Sequence, residues 1–363
     1  MNIRIRLLGD DEAQIVNEVY NNSYGNIRPI SNFRWEFEQG PLGKAIYVIA
    51  EDLDRSGNKI IGTQAAIPLN FVNGAGEKVL TAKSEDTFVH PEYRGHKLFD
   101  KMYELLFEEC RKSGIQFIWG FTYARKPFLK LGFEIPFETL QGLYVINPLK
   151  TFYYLSKLNP NNRISDKIKI FGLSILGYLK TQFQFNNANK NSILTATTDI
   201  PSKTNISQFN CYDKKWTLDQ DEKYKEWRFN FNPFENKYKF HSFKLRPDNN
   251  LNDAEIITNH RPEGFAYIEQ IKFGSLPNTT SKLFAIKYSI KYLKKESKKP
   301  FLIRFWGFNN NEIGQDEISV LKKTGFVFVN KGTAFVWKSL SKERSKIESK
   351  DVILSRAFTQ GNK

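Results

Sequence analysis

The stretch that most constrains the fold lies over residues 80–112, where a strand pattern passes through a short turn directly into an amphipathic helix. Residues 80–89 read as a strand that His90-Pro91 ends. From about residue 95 to 112, Leu98, Phe99, Met102, Leu105, Leu106 and Cys110 form one apolar stripe. Asp100, Lys101, Glu104, Glu108 and Arg111 take the other face. Ser113-Gly114 supplies a glycine stop, and residues 115–121 read as a compact buried strand. Strand, helix and strand in that order predict an α/β unit.

The flanking sequence fits such a unit. Residues 10–21 open with acidic residues and carry Ala13, Ile15, Val16, Val19 and Tyr20, so they predict a short helix. Residues 45–50 and 59–67 are strands joined by a turn at 54–58, and Asn73-Gly74-Ala75-Gly76 turns a second hairpin. Residues 125–131 suit a short helix with Pro127 in its first turn, and Gly132-Phe133 opens the next strand.

Composition narrows the setting. A chain of 363 residues, 40% hydrophobic, can bury a sizeable core, and its length suggests two domains. No stretch reaches the roughly 18 apolar residues that span a bilayer, and Met1-Asn2-Ile3-Arg4-Ile5-Arg6 lacks the apolar run of a secretory signal. Two cysteines, Cys110 and Cys211, make no disulfide framework. Four scattered histidines offer no metal-ligand spacing, so no metal is expected and a reduced, cytoplasmic location is. Charge is uneven. Residues 1–150 carry 18 Lys/Arg against 19 Asp/Glu, and the remainder carries 36 against 20. The basic part invites an anionic partner, such as a phosphorylated substrate, a membrane surface or a nucleic acid, or simply carries solvated lysines.

Beyond residue 150 the pattern changes. Ile168, Phe171, Ile175, Leu176, Leu179 and Phe183 fall at helical spacing, flanked by Lys167, Lys169 and Lys180. Two readings stand: an interdomain helix packed on both domains, or a basic amphipathic helix peripheral to the inner face of a membrane. Residues 186–207, rich in Asn, Ser and Thr, read as a loop or linker. A repeat then appears. Trp35-Glu36-Phe37 and Trp227-Arg228-Phe229 share W-x-F-x-x-x-P, and Lys130-Leu131-Gly132-Phe133 and Lys323-Thr324-Gly325-Phe326 share K-x-G-F. The two motifs stand 97 positions apart in one copy and 98 in the other, so they suggest a duplicated α/β unit. The expected division is 1–147, a helical connector and loop at 148–207, a second unit at 208–340 and a basic polar tail at 341–363.

Chemistry concentrates in Val89-His90-Pro91-Glu92-Tyr93-Arg94-Gly95-His96-Lys97-Leu98-Phe99. First-turn N–H groups of a helix lack intrahelical acceptors and lie at the positive end of its dipole, which suits a pyrophosphate. Arg94 and Lys97 add charge, and Gly95 permits close approach. An ordinary strand-to-helix turn would look the same locally.

Over roughly residues 3–140 the segment resembles the GNAT acetyltransferase superfamily. That family places Arg/Gln-x-x-Gly-x-Gly/Ala after a V-x-P-x-Y/W stretch and ends in a Gly-Phe, as in Phe128-Leu129-Lys130-Leu131-Gly132-Phe133. Arg94 takes the first signature position, while Lys97 and Phe99 stand where the family has glycine or alanine. The resemblance implies α/β architecture, here two GNAT-like mixed-sheet units in tandem. It also implies acetyl-CoA as co-substrate, bound through Phe88, Val89, Arg94, Gly95, His96, Lys97, Leu98 and Phe99, with direct attack by an amine. The implied general base sits on the strand before the loop, as Glu85 or Asp86, each otherwise a salt-bridge or turn residue. Glu85 shares strand parity with Val89 unless a bulge intervenes. The Val89 N–H is the implied donor to the thioester carbonyl. Phe128 stands where the family often has a proton-donating tyrosine. Tyr123 is a substitute acid or an aromatic packed over splayed strands.

The second copy lacks an Arg-Gly turn between Phe273 and Phe284 and is expected to lack a CoA loop, shaping an acceptor groove instead. The expected acceptor is a small-molecule amine whose phosphate would suit the basic half, such as an amino sugar on a nucleotide- or lipid-linked polysaccharide precursor. Two alternatives remain: an acyl or aminoacyl transferase using tRNA or another carrier, although no RNA-binding motif is identifiable, and a degenerate, non-catalytic binding protein.

Overall fold

The computed structural model describes residues 2–25, 27–158, 163–185, 195–199, 215–234, 237–245, 252–274, 276, 278–341 and 347–358. Cys211 lies outside them. In chain order the first elements are β1 (Ile3–Leu7), α1 (Ala13–Tyr24), α2 (Ile30–Phe37), β2 (Ile46–Asp52), β3 (Ile60–Asn73) and β4 (Lys78–Val89). Then come α3 (Leu98–Lys112), β5 (Phe117–Thr122), α4 (Arg125–Lys130), β6 (Glu134–Val145), α5 (Pro148–Lys157) and α6 (Ile164–Phe185). Next are β7 (Thr195–Asp199), β8 (Trp216–Leu218), α7 (Glu222–Lys225) with a π-helical turn over Glu226–Asn230, β9 (Lys237–Lys244) and β10 (Ala254–His260). The last are β11 (Ala266–Lys272), α8 (Thr279–Lys295), β12 (Leu302–Gly307), α9 (Glu312–Thr324) and β13 (Val327–Ser339).

These sort into two compact units. Unit 1 comprises Met1–Glu138, Lys214–Phe234 and Thr333–Val352. Its strands run β1-β2-β3-β4-β5, followed by the Ala334–Ser339 half of β13. The pairs from β1 to β4 are antiparallel, as expected of hairpins. β4 and β5 are parallel, which requires the crossover that α3 makes. The stripe on α3 buries Leu98, Met102, Leu106 and Cys110 against Val48, Ala50, Ala82 and Ile118. Each such side chain contributes about 1.5–3 kcal/mol when removed from water. The helix starts at Leu98, three residues later than the apolar pattern suggests. Gly95 at φ 91° and Lys97 at φ 58° are left-handed and cannot extend a right-handed helix backwards.

Unit 2 comprises Thr139–Asp213, Glu235–Gly332 and Ile353–Lys363. Its strands run from the Leu140–Val145 half of β6 through β12, β11, β10 and β9 to β7. Again one pair, β11 with β12, is parallel, and α8 makes the crossover. Ile268, Ile286, Ile290, Leu293, Ile303, Phe305 and Leu321 are among its core residues. Both units therefore take their last strand from the other copy of the repeat: residues 334–339 complete the first, and residues 140–145 the second. Within the stretch read as a linker, residues 195–199 form a strand. Past residue 341, Leu354, Ala357 and Phe358 are buried, and Arg356 is sealed against Glu269 and 3.5 Å above the Tyr267 ring.

The repeated motifs share geometry. Gly132 and Gly325 both sit at positive φ, 75° and 112°, as helix-ending residues do when only glycine avoids strain. Trp35 and Trp227, both in unit 1, stack with ring centroids 4.7 Å apart. Each indole N–H donates to the other's backbone carbonyl at 2.8 Å. This reciprocity gives the W-x-F repeat a physical reason: two copies of one motif close on each other around a local two-fold relation.

Candidate active site

The site in unit 1 begins where β4 and β5 part. Their pairing runs through Thr81–Phe117, Ala82–Ile118 and Lys83–Trp119, although β4 continues to Val89. A bulge lies just beyond. Ala65 faces Glu85 and Thr63 faces Phe88, so two residues of β4, Asp86 and Thr87, oppose Gln64 alone. Asp86 pays for the bulge with φ 52°. Thr63 Oγ1 donates to Asp86 O at 2.7 Å, and Thr87 Oγ1 donates to Gln64 Oε1 at 2.5 Å, fixing the extra residue in place. The bulge resets the alternation, so Glu85 is in phase with Phe88 and not with Val89. Further along, His90 N donates to Ile61 O at 2.8 Å. In an antiparallel ladder, bonded and non-bonded pairs alternate, so the neighbouring Val89–Gly62 pair is non-bonded and the Val89 N–H points away from β3, toward the parted edge.

The turn after β4 brings Arg94, Gly95, His96 and Lys97 to the surface. Lys97 is the N-cap of α3, and no side chain caps that helix start. Leu98 is buried, and Phe99 packs 4.8 Å from Tyr103 and 5.4 Å from Phe128, so both contribute core side chains and leave only backbone to the turn. Lys97 takes the left-handed conformation that a glycine would take more cheaply. A cavity of about 490 Å³ beside the turn is lined by Tyr24, Arg55, Phe88, His90 and Arg94, among others.

On the face of β4 turned away from α3, which Phe88 shares with Glu85, the charged side chains collect. Asp86 accepts from Arg28 Nη1 and Nη2 at 3.1 and 3.2 Å and from Tyr47 Oη at 2.5 Å. Both its oxygens are engaged in holding the α1–α2 loop, β2 and the bulge together. Lys83 is buried and bonds to Glu85, whose side chain is 29% exposed. Glu36, on α2 between Trp35 and Phe37, was not singled out by sequence. Burial pushes its carboxyl up to about 7, with Lys83 opposing and Asp86 adding to the rise. Burial pulls the Lys83 ammonium down to about 7, with Glu36 opposing and Arg228 adding to the fall. The signal for Glu36 was the variable position of the W-x-F repeat, which carries Glu36 in one copy and Arg228 in the other.

Tyr123 is 70% exposed at the end of β5 and so is no packed aromatic. Phe128 is a core residue, 5.1 Å from Phe133 and 5.7 Å from Tyr103. Among the described residues no cluster of His, Cys, Asp or Glu could hold a metal ion, and no helix is long and apolar enough to cross a membrane.

The family profile of the acetyltransferase (GNAT) domain matches residues 4–135, which contain the parted strands, the turn and α3. Over these residues the chain is similar to GNAT acetyltransferases. The GNAT region is also matched within whole-chain structural likenesses. A GCN5-related N-acetyltransferase from Anabaena variabilis superposes with TM-score 0.60 at 10% identity, over 94% of this chain and 73% of that one. A GCN5-related N-acetyltransferase from Kribbella flavida gives 0.54 at 10% identity, over 93% and 72%. A tandem GNAT protein from the clavulanic acid biosynthesis pathway gives 0.52 at 10% identity, over 94% and 100%. These likenesses speak to the fold. No curated protein sequence matches the chain. Enzymes of the GNAT family use an acyl-CoA co-substrate and an amine acceptor.

Proposed function

We propose that the chain transfers an acetyl group from acetyl-CoA to a primary amine at the parting of β4 and β5. The observation that carries this is the Val89 N–H aimed at the parted edge beside an uncapped α3. Arg94 and the backbone N–H groups of Gly95 and of Lys97 to Phe99 would hold the pyrophosphate, with the His96 and Lys97 side chains at the exposed rim and the His96 N–H turned to Tyr93 O at 3.5 Å. The co-substrate supplies the thioester that the amine opens. The Val89 N–H would stabilise the oxyanion, and Phe88 would wall the cleft. Of the two carboxylates expected on β4, Asp86 is committed to Arg28 and Tyr47 and acts as a positioning residue. Glu85 would steer the acceptor ammonium while bonded to Lys83. Glu36, raised by burial toward neutral pH, is the better-suited proton acceptor. Tyr123 remains the candidate acid, exposed where an arriving substrate would cover it.

In unit 2 the equivalent helix start is already filled: Asn278 Oδ1 accepts from Ser281 N at 2.9 Å. One CoA site per chain follows, and unit 2 would serve acceptor binding, with its basic residues suited to the phosphate of an amino sugar on a nucleotide- or lipid-linked carrier. Titration calorimetry with acetyl-CoA tests the reading. One site per chain is expected. Absence of binding at millimolar acetyl-CoA would overturn it, and retention of RNA by the purified protein would favour a tRNA-dependent transferase instead.

A further inference from the structure

α6 is turned inside out. Ile164, Ile168, Phe171, Leu179 and Phe183 lie between 45% and 79% exposed, and Leu176 is exposed beside them. The buried face consists instead of Ser174, Gly177 and Thr181. That face is fixed. Thr181 Oγ1 donates to Val145 O at 3.1 Å, and a Cβ on Gly177 would stand 2.8 Å from Val145 Cγ2. The helix cannot roll its large side chains inward without driving them into space that only a glycine fits. At 3.6 residues per turn, Ile164, Ile168, Phe171, Leu179 and Phe183 fall within an arc of about 120°. Lys167 borders the arc on one side and Lys169 on the other, while Lys180, on the same side as Lys169, turns its ammonium inward to Phe326 O at 3.0 Å. α5 packs alongside, with Phe152 5.5 Å from Phe171, and adds exposed Leu149 and Tyr153 with Lys150 and Lys157.

We infer that the α5–α6 face lies on an anionic lipid surface, with the apolar arc at the level of the acyl-chain boundary and the lysines at the headgroups. Residues 148–185 carry Lys150, Lys157, Arg163, Lys167, Lys169 and Lys180 against Asp166 alone. An apolar stripe bordered on both sides by lysine matches a plane that is apolar below and anionic at its surface. Protein interfaces deplete lysine, and a second copy of this face would set like charges against like. α6 does not have the composition of a spanning helix, so the contact lies in the plane of the membrane.

The test is sedimentation of the full chain with phosphatidylcholine vesicles, with and without phosphatidylglycerol. Binding to the anionic vesicles, weakened by added salt, is expected. Ile168→Asp with Phe171→Asp should reduce it by about tenfold or more, and Lys167→Glu with Lys169→Glu should reduce it on anionic vesicles. Ile168, Lys167 and Lys169 are exposed and Phe171 gives up its contact with Phe152, so a modest fall in melting temperature is expected from the Ile168→Asp with Phe171→Asp variant only, while acetyl-CoA binding should stay as in the parent protein in both. Failure of the parent chain to bind anionic vesicles would overturn the inference. So would a dimer in light scattering that Ile168→Asp with Phe171→Asp converts to monomer, because a second copy would then own the face.

Discussion

α3 and α8 occupy equivalent places: each leaves an antiparallel strand and leads into that strand's parallel neighbour. Their first turns differ. α3 begins at a left-handed Lys97 with no side chain over its amides, whereas α8 begins under Asn278, which accepts from Ser281 N. An amide bonded to its own N-cap is not available to a phosphate, so the proposed anion site at the start of α3 has a closed helix end as its counterpart in α8. The W-x-F motifs divide in the same way. Glu36 and Arg228 hold the same position in the repeat, yet one is a carboxyl raised by burial and the other a cation that raises the cost of charging Lys83. The two units share a backbone plan and differ at these polar positions.

The largest effect should come from breaking that second contrast. Glu36→Gln is expected to lower acetyl transfer by about 100-fold or more, while acetyl-CoA affinity holds. The sign of the pH dependence follows from the raised carboxyl. A base must be ionised, so parental activity should rise as pH climbs through about 7 and fall below it. The rise should flatten in Glu36→Gln. A variant that keeps the parental pH profile would assign the base elsewhere, with Glu85 next in line.

Next in size is the contrast between helix starts. Arg94→Ala should weaken acetyl-CoA binding by about 10- to 100-fold, because it removes a charge-assisted contact at the open end of α3. Lys282→Ala, in the first turn of α8 and paired with Asp316 at 2.8 Å, should leave binding unchanged. Equal losses in calorimetry would break the single-site reading.

Local pattern made much of unit 1 legible. The apolar stripe of α3, the hairpins and the glycine-ended helices are all written within a dozen residues. What was not legible depends on partners far apart in the chain. The bulge at Asp86 adds one residue to β4, and a period-two reading cannot count it without the Gln64 and Thr63 contacts. Glu36 looks like the polar side of a Trp-Glu-Phe run until Lys83 and Arg228 are brought to it. The exchanged last strands were equally hidden, because residues 140–145 and 334–339 are both good strand sequences and neither states its sheet. On α6 the apolar spacing was read correctly as a helix. The direction of its stripe depends on Ser174, Gly177 and Thr181, small residues that carry no hydrophobic signal.

A smaller effect separates the two caps by stability. Asn278→Ala should destabilise unit 2 by about 1 kcal/mol, since its side chain satisfies an amide of α8. A change in acetyl-CoA stoichiometry from one to two sites would be a sharper result, showing that the cap alone had kept the second helix closed.

The smallest expected change is the most discriminating. Lys97 sits at φ 58° and ψ 22°, a conformation that costs a side-chain-bearing residue about 1–2 kcal/mol. Glycine removes that strain but gains freedom in the unfolded chain worth about 0.4–1 kcal/mol, so Lys97→Gly should stabilise unit 1 by about 0–1.6 kcal/mol. Two causes for keeping lysine can then be told apart. If the turn serves through its backbone amides, the variant melts slightly higher and binds acetyl-CoA within a few-fold of the parent. If the ammonium itself meets the phosphates, affinity drops on the scale of Arg94→Ala despite the relief of strain. In that case lysine stands at a left-handed position because the charge is worth more there than the conformation costs, and α3 differs from α8 by its side chains as well as by its open amides.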